Sequence, residues 1–243
     1  MVDIERVTDY GALSERLAAE VLSCMLDSGE NLICLPSGDT PLGAFKIIAS
    51  KLSGKSNRLN FKLVGLDEWV GMGRDTKGSC QSCMFEHLYK PCAIGRDKII
   101  EFNAQSTDLE MECRKMDRFI AENGPIDLAV LGIGMNGHLG LNEPGTSFSQ
   151  SSHIVPLSET TKKVAQKYFP EPVELEKGIT LGLKHFLEAK RLILIASGKQ
   201  KAEIVRRIME EEVSERIPAT IAKIHPDSTL LIDHHAASAL QEE

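Results

Sequence analysis

The amino-acid sequence predicts an α/β fold, a single doubly wound and mostly parallel sheet with helices on both faces. Three observations carry that expectation. Short apolar runs recur along the chain: NLICLP, FKLVGL, IDLAVLGIG, RLILIA and TLLID. They are apolar at consecutive positions, as strands buried on both faces must be, and do not alternate as a half-exposed sheet would. Amphipathic stretches of helical spacing lie between them, and the loops that follow the strands are built of small residues.

Each element has its own reason. TDYGALSERLAAEVLSCMLDS has apolar residues at helical spacing and reads as a surface helix that Gly29 stops. NLICLP is a strand leading into SGDTPLGAFKIIASKL, where Thr40 is expected as the N-cap and Pro41 as the first helical residue. FKLVGL leads into DEWVGMG, with a helix expected from Ser79 to Tyr89. IDLAVLGIG runs straight into a glycine-rich stretch. RLILIA is followed by SGKQKAEIVRRIMEEE, again strand, small-residue loop and helix, and TLLID is the last strand expected. No composition shift marks a linker in the 243 residues, so one domain over residues 1–243 is expected.

Composition excludes several classes of function. Hydrophobic residues at 42% and charged residues at 26% suit a globular protein and leave no support for a disordered or collagen-like chain. No apolar run reaches the ~18 residues that would span a bilayer, and MVDIERVTDYGALSERL has no basic flank followed by an apolar core, so a cytoplasmic protein is expected. A formal charge of -7 without clustered Lys and Arg argues against a nucleic-acid partner, although it leaves room for a small phosphate ligand. The six cysteines suit reduced thiols better than a disulfide framework. Cys80, Cys83 and His87 would share a helix face, with Cys92 nearby. One CxxC without a second pair is a weak zinc signal, so no metal is expected.

In a doubly wound fold the ligand crevice lies beyond the carboxyl ends of the strands. Four loops should meet there: Ser37 to Thr40, Asp67 to Glu68, Gly132 to Glu143, and Ser197 to Lys201. Ser37, Gly38, Asp39 and Thr40 place small groups and a hydroxyl at a helix start, where backbone N–H groups can hold a phosphate. An ordinary capped turn explains them equally well, and the Asp39 carboxylate would repel an anion unless it turns away. Lys199 and Lys201 oppose the dipole of the helix they open, which a bound anion would explain. Asp67 follows directly on an apolar strand. It suits a general base beside a carbonyl, particularly if burial raises its pKa, although a capping or loop acid is the commoner role for an Asp after a strand. In GIGMNGHLGLNEP the glycines let a backbone approach a ligand and put His138 in a turn. Glu143, five residues on, can orient that imidazole for proton transfer between a sugar's ring oxygen and its hydroxyl.

LPSGDTP, LDEW, GIGMNGHLGLNEPG and SGKQKA, in this order and spacing, resemble the glucosamine-6-phosphate deaminase/isomerase family over nearly the whole chain. LDEW, GSC at Gly78 to Cys80, NGHLGLNEPG and GITLGLK at Gly178 to Lys184 are similar to its galactosamine-6-phosphate isomerase (deaminating) branch. The resemblance implies that Asp67 moves a proton between C2 and C1, and that His138 opens the ring with Glu143 as its partner and Asn136 in the same catalytic set. It further implies that Ser37, Gly38, Asp39, Thr40 and Lys201 bind the phosphate, joined by Lys167 from a mobile segment. Glu68, Gly134 and Gly137 would touch substrate. No cofactor or metal is implied, and the small-molecule amino-sugar phosphate would be the partner of a monomer or a homo-oligomer.

The chain departs from the family's usual pattern at Cys80 (commonly Tyr), Asn136 (commonly Asp), Asp39 (commonly Gly) and Lys167 (often Arg). His153 and Val155 replace the basic residues that bind an allosteric sugar phosphate in some members, so that regulation is not expected. The rival readings are 6-phosphogluconolactonase, which shares the fold and a glycine-histidine loop, and a non-catalytic sugar-phosphate sensor. NEP after the histidine and the acid pair at Asp67 favour the deaminase over the first. The complete set of Asp67, His138 and Glu143, without an added DNA-binding segment, favours it over the second.

Overall fold

The computed structural model describes residues 2–52, 56 and 59–241. In chain order the regular elements are β1 (Asp3–Val7), α1 (Tyr10–Leu26), β2 (Asn31–Leu35), α2 (Leu42–Leu52), β3 (Phe61–Gly65), β4 (Asp67–Trp69), α3 (Cys80–Met84), β5 (Ile99–Ile100), α4 (Leu109–Asn123), β6 (Leu128–Gly132), β7 (His153–Pro156), α5 (Glu159–Ala165), β8 (Lys177–Thr180), α6 (Leu183–Leu187), β9 (Arg191–Ala196), α7 (Ala202–Glu210) and β10 (Ser228–Asp233). Among the described residues, seven strands form one sheet in the order β1-β10-β9-β6-β2-β3-β5, with every neighbouring pair parallel.

Successive residues of the central strands supply two different cores, as the pleat requires. Ile33, Leu35, Leu128, Val130, Ile193 and Ile195 pack with Leu13, Leu17 and Val21 of α1 and with Phe45 and Ile48 of α2. Leu32, Cys34, Ala129, Leu131, Leu192 and Leu194 face the other way, onto Met116 and Ile120 of α4 and Ile204, Val205 and Ile208 of α7. Both faces are therefore covered, and the doubly wound arrangement expected from the apolar runs is the one observed. No helix among the described residues is long and apolar enough to cross a membrane.

Some boundaries differ from expectation. α1 ends at Leu26, ahead of Gly29. α2 starts at Leu42, so Pro41 precedes the helix and Thr40 is not its cap. α3 is capped by Ser79, whose hydroxyl accepts from Ser82 N, and it passes at Phe85–Tyr89 into a π-helical turn. The 3₁₀ turn Lys199–Lys201 comes before α7. β1 and β5 were not legible in the sequence.

The larger correction concerns the single sheet. A second, antiparallel sheet of order β4-β8-β7 pairs Asp67 and His153 with Thr180 from its two sides. It encloses a third core of Trp69, Cys80, Leu141, Val155 and Leu157. Leu66 alone separates β3 from β4, so this small sheet begins at the carboxyl edge of the large one. Asp67 therefore lies in a paired strand and not in a loose loop.

Candidate active site

The carboxyl ends of β2, β3, β6 and β9 open on a cavity of about 200 Å³. Of the expected site residues, Ser37 to Thr40, Asp67, Gly134, His138, Lys167 and Lys201 line it. Asn136, Glu143, Glu68 and Gly137 do not, and each has a different place. Lys199 is exposed outside it.

Asp67 is fixed by the pairing of β4 with β8. Burial lifts its carboxyl from 3.8 to about 7, the Cys80 thiol that bonds to it pulls the other way, and the neighbouring Glu68 adds to the rise. An acid with that value is part ionised near neutral pH, the condition for taking and returning a proton. Glu68 itself is a correction to the expected substrate contact. It is fully buried, with Oε1 accepting from Trp69 N at 2.8 Å and Cys80 N at 3.0 Å, and Oε2 from Gln81 N at 2.9 Å. It ties the start of α3 to β4 and so holds Cys80 against Asp67.

His138 sits in a tight turn closed by Gly137 N to Gly134 O and Gly134 N to His138 O, both 3.0 Å. Gly134 is required because a Cβ there would lie 2.3 Å from His138 Nε2. Gly137, at φ +84°, presses against Ile217 and not against the cavity, which corrects its expected role as a substrate contact. Burial holds His138 well below the ordinary imidazole value. Glu143 opposes that effect and Lys201 adds to it, so the ring is neutral. Glu143 Oε2 stands 3.8 Å from His138 Nδ1.

Burial pushes Glu143 up. The Thr161 hydroxyl, His138, the Ser158 N–H and the Asn136 amide outweigh it, and the carboxylate stays ionised. Asn136 accepts from His138 N at 3.2 Å and donates to Glu143 Oε2 at 2.8 Å. Its side chain thus acts on Glu143 and not on the imidazole, which moves it from the catalytic set to a positioning place. Thr161 Oγ1 lies 3.3 Å from His138 Nδ1. Nothing in the local pattern signals this contact across 23 residues.

Two lysines also line the cavity. Lys201 Nζ donates to Ile133 O at 2.5 Å, and burial, with Lys167 adding to it, lowers the ammonium to about 8. Lys167 Nζ lies 2.5 Å from Asp39 Oδ2 and 4.8 Å from the centre of the Tyr168 ring. Asp39 does not turn away from the site, as its charge suggested it must. The structure supplies it with a cation instead.

A family model for glucosamine-6-phosphate isomerases and 6-phosphogluconolactonases matches residues 8–231. The chain belongs to this family. It is similar to the glucosamine-6-phosphate deaminase of Shouchella clausii, at 36% identity over 100% of this chain and 99% of that one. It is also similar to that of Thermoanaerobacter pseudethanolicus, at 35% identity over 97% and 94%. The solved structure of a monomeric glucosamine-6-phosphate deaminase superimposes with a TM-score of 0.90 at 33% identity, covering 98% of this chain and all of that one. A 6-phosphogluconolactonase from Trypanosoma brucei, at 18% identity and a TM-score of 0.77, shares the fold.

Within this family member the cysteines do not gather. Cys80 faces Asp67, Cys92 is packed in the α1–α2 core and His87 is exposed. No group of three or more His, Cys, Asp or Glu set to hold a metal occurs among the described residues. One edge of the cavity is formed by α5 and the turn after it, through Thr161, Val164, Lys167 and Tyr168. Ser158 caps that helix by accepting from Thr161 N at 3.2 Å, and the same cap carries the Thr161 hydroxyl to His138.

Proposed function

We propose that the chain isomerises and deaminates glucosamine 6-phosphate, giving fructose 6-phosphate and ammonia. One observation carries the reading: a single cavity is lined by a carboxyl near neutrality, a neutral, carboxylate-backed histidine and two lysines. The names of the full-length relatives support the substrate.

In this reading the neutral His138 takes the proton of the C1 hydroxyl and delivers it to the ring oxygen, opening the sugar. The imidazolium formed in between is stabilised by Glu143, which Asn136 and Ser158 hold in place. Ionised Asp67 removes the C2 proton of the open aldehyde while the substrate's ammonium gives a proton to O1, leaving an enolamine, and Asp67 then returns its proton to C1. The resulting C2 iminium takes up water and releases ammonia, which leaves the ketose. Ser37 to Thr40, Lys201 and Lys167 hold the 6-phosphate and fix C1 and C2 against the base.

The likeness of GSC and GITLGLK to the galactosamine branch points instead to galactosamine 6-phosphate as the better substrate, so both epimers are compared. The test is ammonia release from glucosamine 6-phosphate, galactosamine 6-phosphate and unphosphorylated glucosamine, with lactone hydrolysis followed on 6-phosphogluconolactone. Ammonia from the phosphorylated amino sugars alone is expected, with the glucosamine epimer preferred. Lactone hydrolysis without ammonia release would overturn the reading.

A further inference from the structure

Lys201 and Lys167 are held differently. Lys201 rests on a carbonyl, a neutral partner that a phosphate can share it with. Lys167 rests on a carboxylate, Asp39, brought to it across 128 positions of sequence. Asp39 lies in the loop between β2 and α2, and its backbone carbonyl accepts from the Tyr10 hydroxyl at 3.1 Å and from Leu42 N at 3.3 Å. The main chain is thus fixed while the carboxylate keeps its rotamers. On the other side, the Tyr168 hydroxyl lies so close to the same loop that a Cβ on Gly38 would stand 3.2 Å from it. The pair therefore joins the loop between β2 and α2 to the segment after α5, at the wall of the cavity.

Both side chains are about half exposed, 51% for Lys167 and 64% for Asp39, and exposed pairs of this kind contribute little to the stability of a fold. So weak a contribution to stability does not account for an acid in a loop built to receive an anion. A competitor for the lysine does. We propose that Asp39 is a specificity-determining residue, a tethered anion that occupies Lys167 and makes any incoming phosphate displace it. A bare anion that reaches only the lysines gains the Lys201 contact, must compete with Asp39 for Lys167 and meets a like charge. A sugar phosphate recovers the difference through its contacts with Asp67 and His138. The proposal rests on the reading of Lys201 and Lys167 as a phosphate site.

The experiment is calorimetric titration of inorganic phosphate into the wild type, Asp39→Asn, Lys201→Ala, and the double variant Asp39→Asn with Lys167→Ala, together with KM for glucosamine 6-phosphate. Asp39→Asn should bind phosphate about tenfold tighter, as removal of a like charge a few ångströms from a dianion implies. Its KM should fall as well, and the double variant should lose both gains. Asp39→Asn binding phosphate no tighter than wild type, while Lys201→Ala binds it more weakly, would overturn the competitor role and leave the phosphate site standing. Unchanged phosphate affinity in Lys201→Ala would overturn both.

Discussion

Replacing Asp67 by asparagine should abolish most turnover and at the same time make the protein more stable, by an amount that grows with pH. The carboxyl titrates at 3.8 in an ordinary setting and at about 7 in the cavity, because burial disfavours its charged form more than the Cys80 thiol favours it. Below 3.8 it is protonated in both the folded and the unfolded chain and contributes no difference. Between 3.8 and about 7 the unfolded chain has lost the proton that the folded chain still binds, so wild-type stability falls as pH rises. Above about 7 the loss is complete. At about 1.36 kcal/mol per pH unit, it reaches roughly 1.5 kcal/mol by pH 5 and roughly 4 kcal/mol by pH 8, somewhat less where cavity water solvates the carboxylate.

Asparagine has no such slope, and its amide oxygen can still accept from Cys80. The assay is urea unfolding of both proteins at pH 5 and pH 8, with turnover measured alongside. The stability advantage of the variant should widen by about 2.5 kcal/mol between the two pH values, while turnover falls at least ~10²-fold. An advantage that stays the same at both pH values would refute the buried-carboxyl argument, and near-normal turnover would remove Asp67 from the proton transfer.

Two further outcomes follow from the same geometry. Wild-type kcat/KM should fall on the acid side through about 7 as Asp67 protonates, and on the alkaline side from about 8 as Lys201 loses its charge. Lys201→Arg, which stays charged, should remove the alkaline limb alone, and a limb that persists in the variant would assign it to another group. Gly134→Ala should lower kcat by ~10²-fold by displacing the His138 ring, whose Nε2 lies 2.3 Å from where the new Cβ would be. Steady-state kinetics check this, with KM expected to change little, and an unchanged kcat would mean that the ring has another productive position.

The parallel sheet could be read because its strands, buried on both faces, leave unbroken apolar runs such as RLILIA. β1 could not. DIERV is an edge strand with no residue fully buried, and it depends on β10 for its pairing. DEW is three residues long, too short for any period to show, so the second sheet and the true setting of Asp67 were hidden. The site divides along the same line. His138, Lys201 and the Ser37 loop were legible because their own neighbours dictate their conformation. Glu68 was misplaced because the sequence shows an acid beside Asp67 but not the three N–H groups pointing at it.

Asn136 marks the limit of reading by residue type. As a departure from aspartate it suggested that Glu143 alone must supply the charge facing His138, and that part follows from composition. What the fold adds is the reason an amide works there. At 2.8 Å from Glu143 Oε2 an aspartate would set one carboxylate against another, while the amide donates to it and leaves a single negative charge beside the imidazole. The same logic applied at Asp39 gives the opposite sign. There the chain adds a carboxylate to the proposed phosphate loop, and only the topology that brings Lys167 to it turns an apparent repulsion into the proposed contest for one lysine.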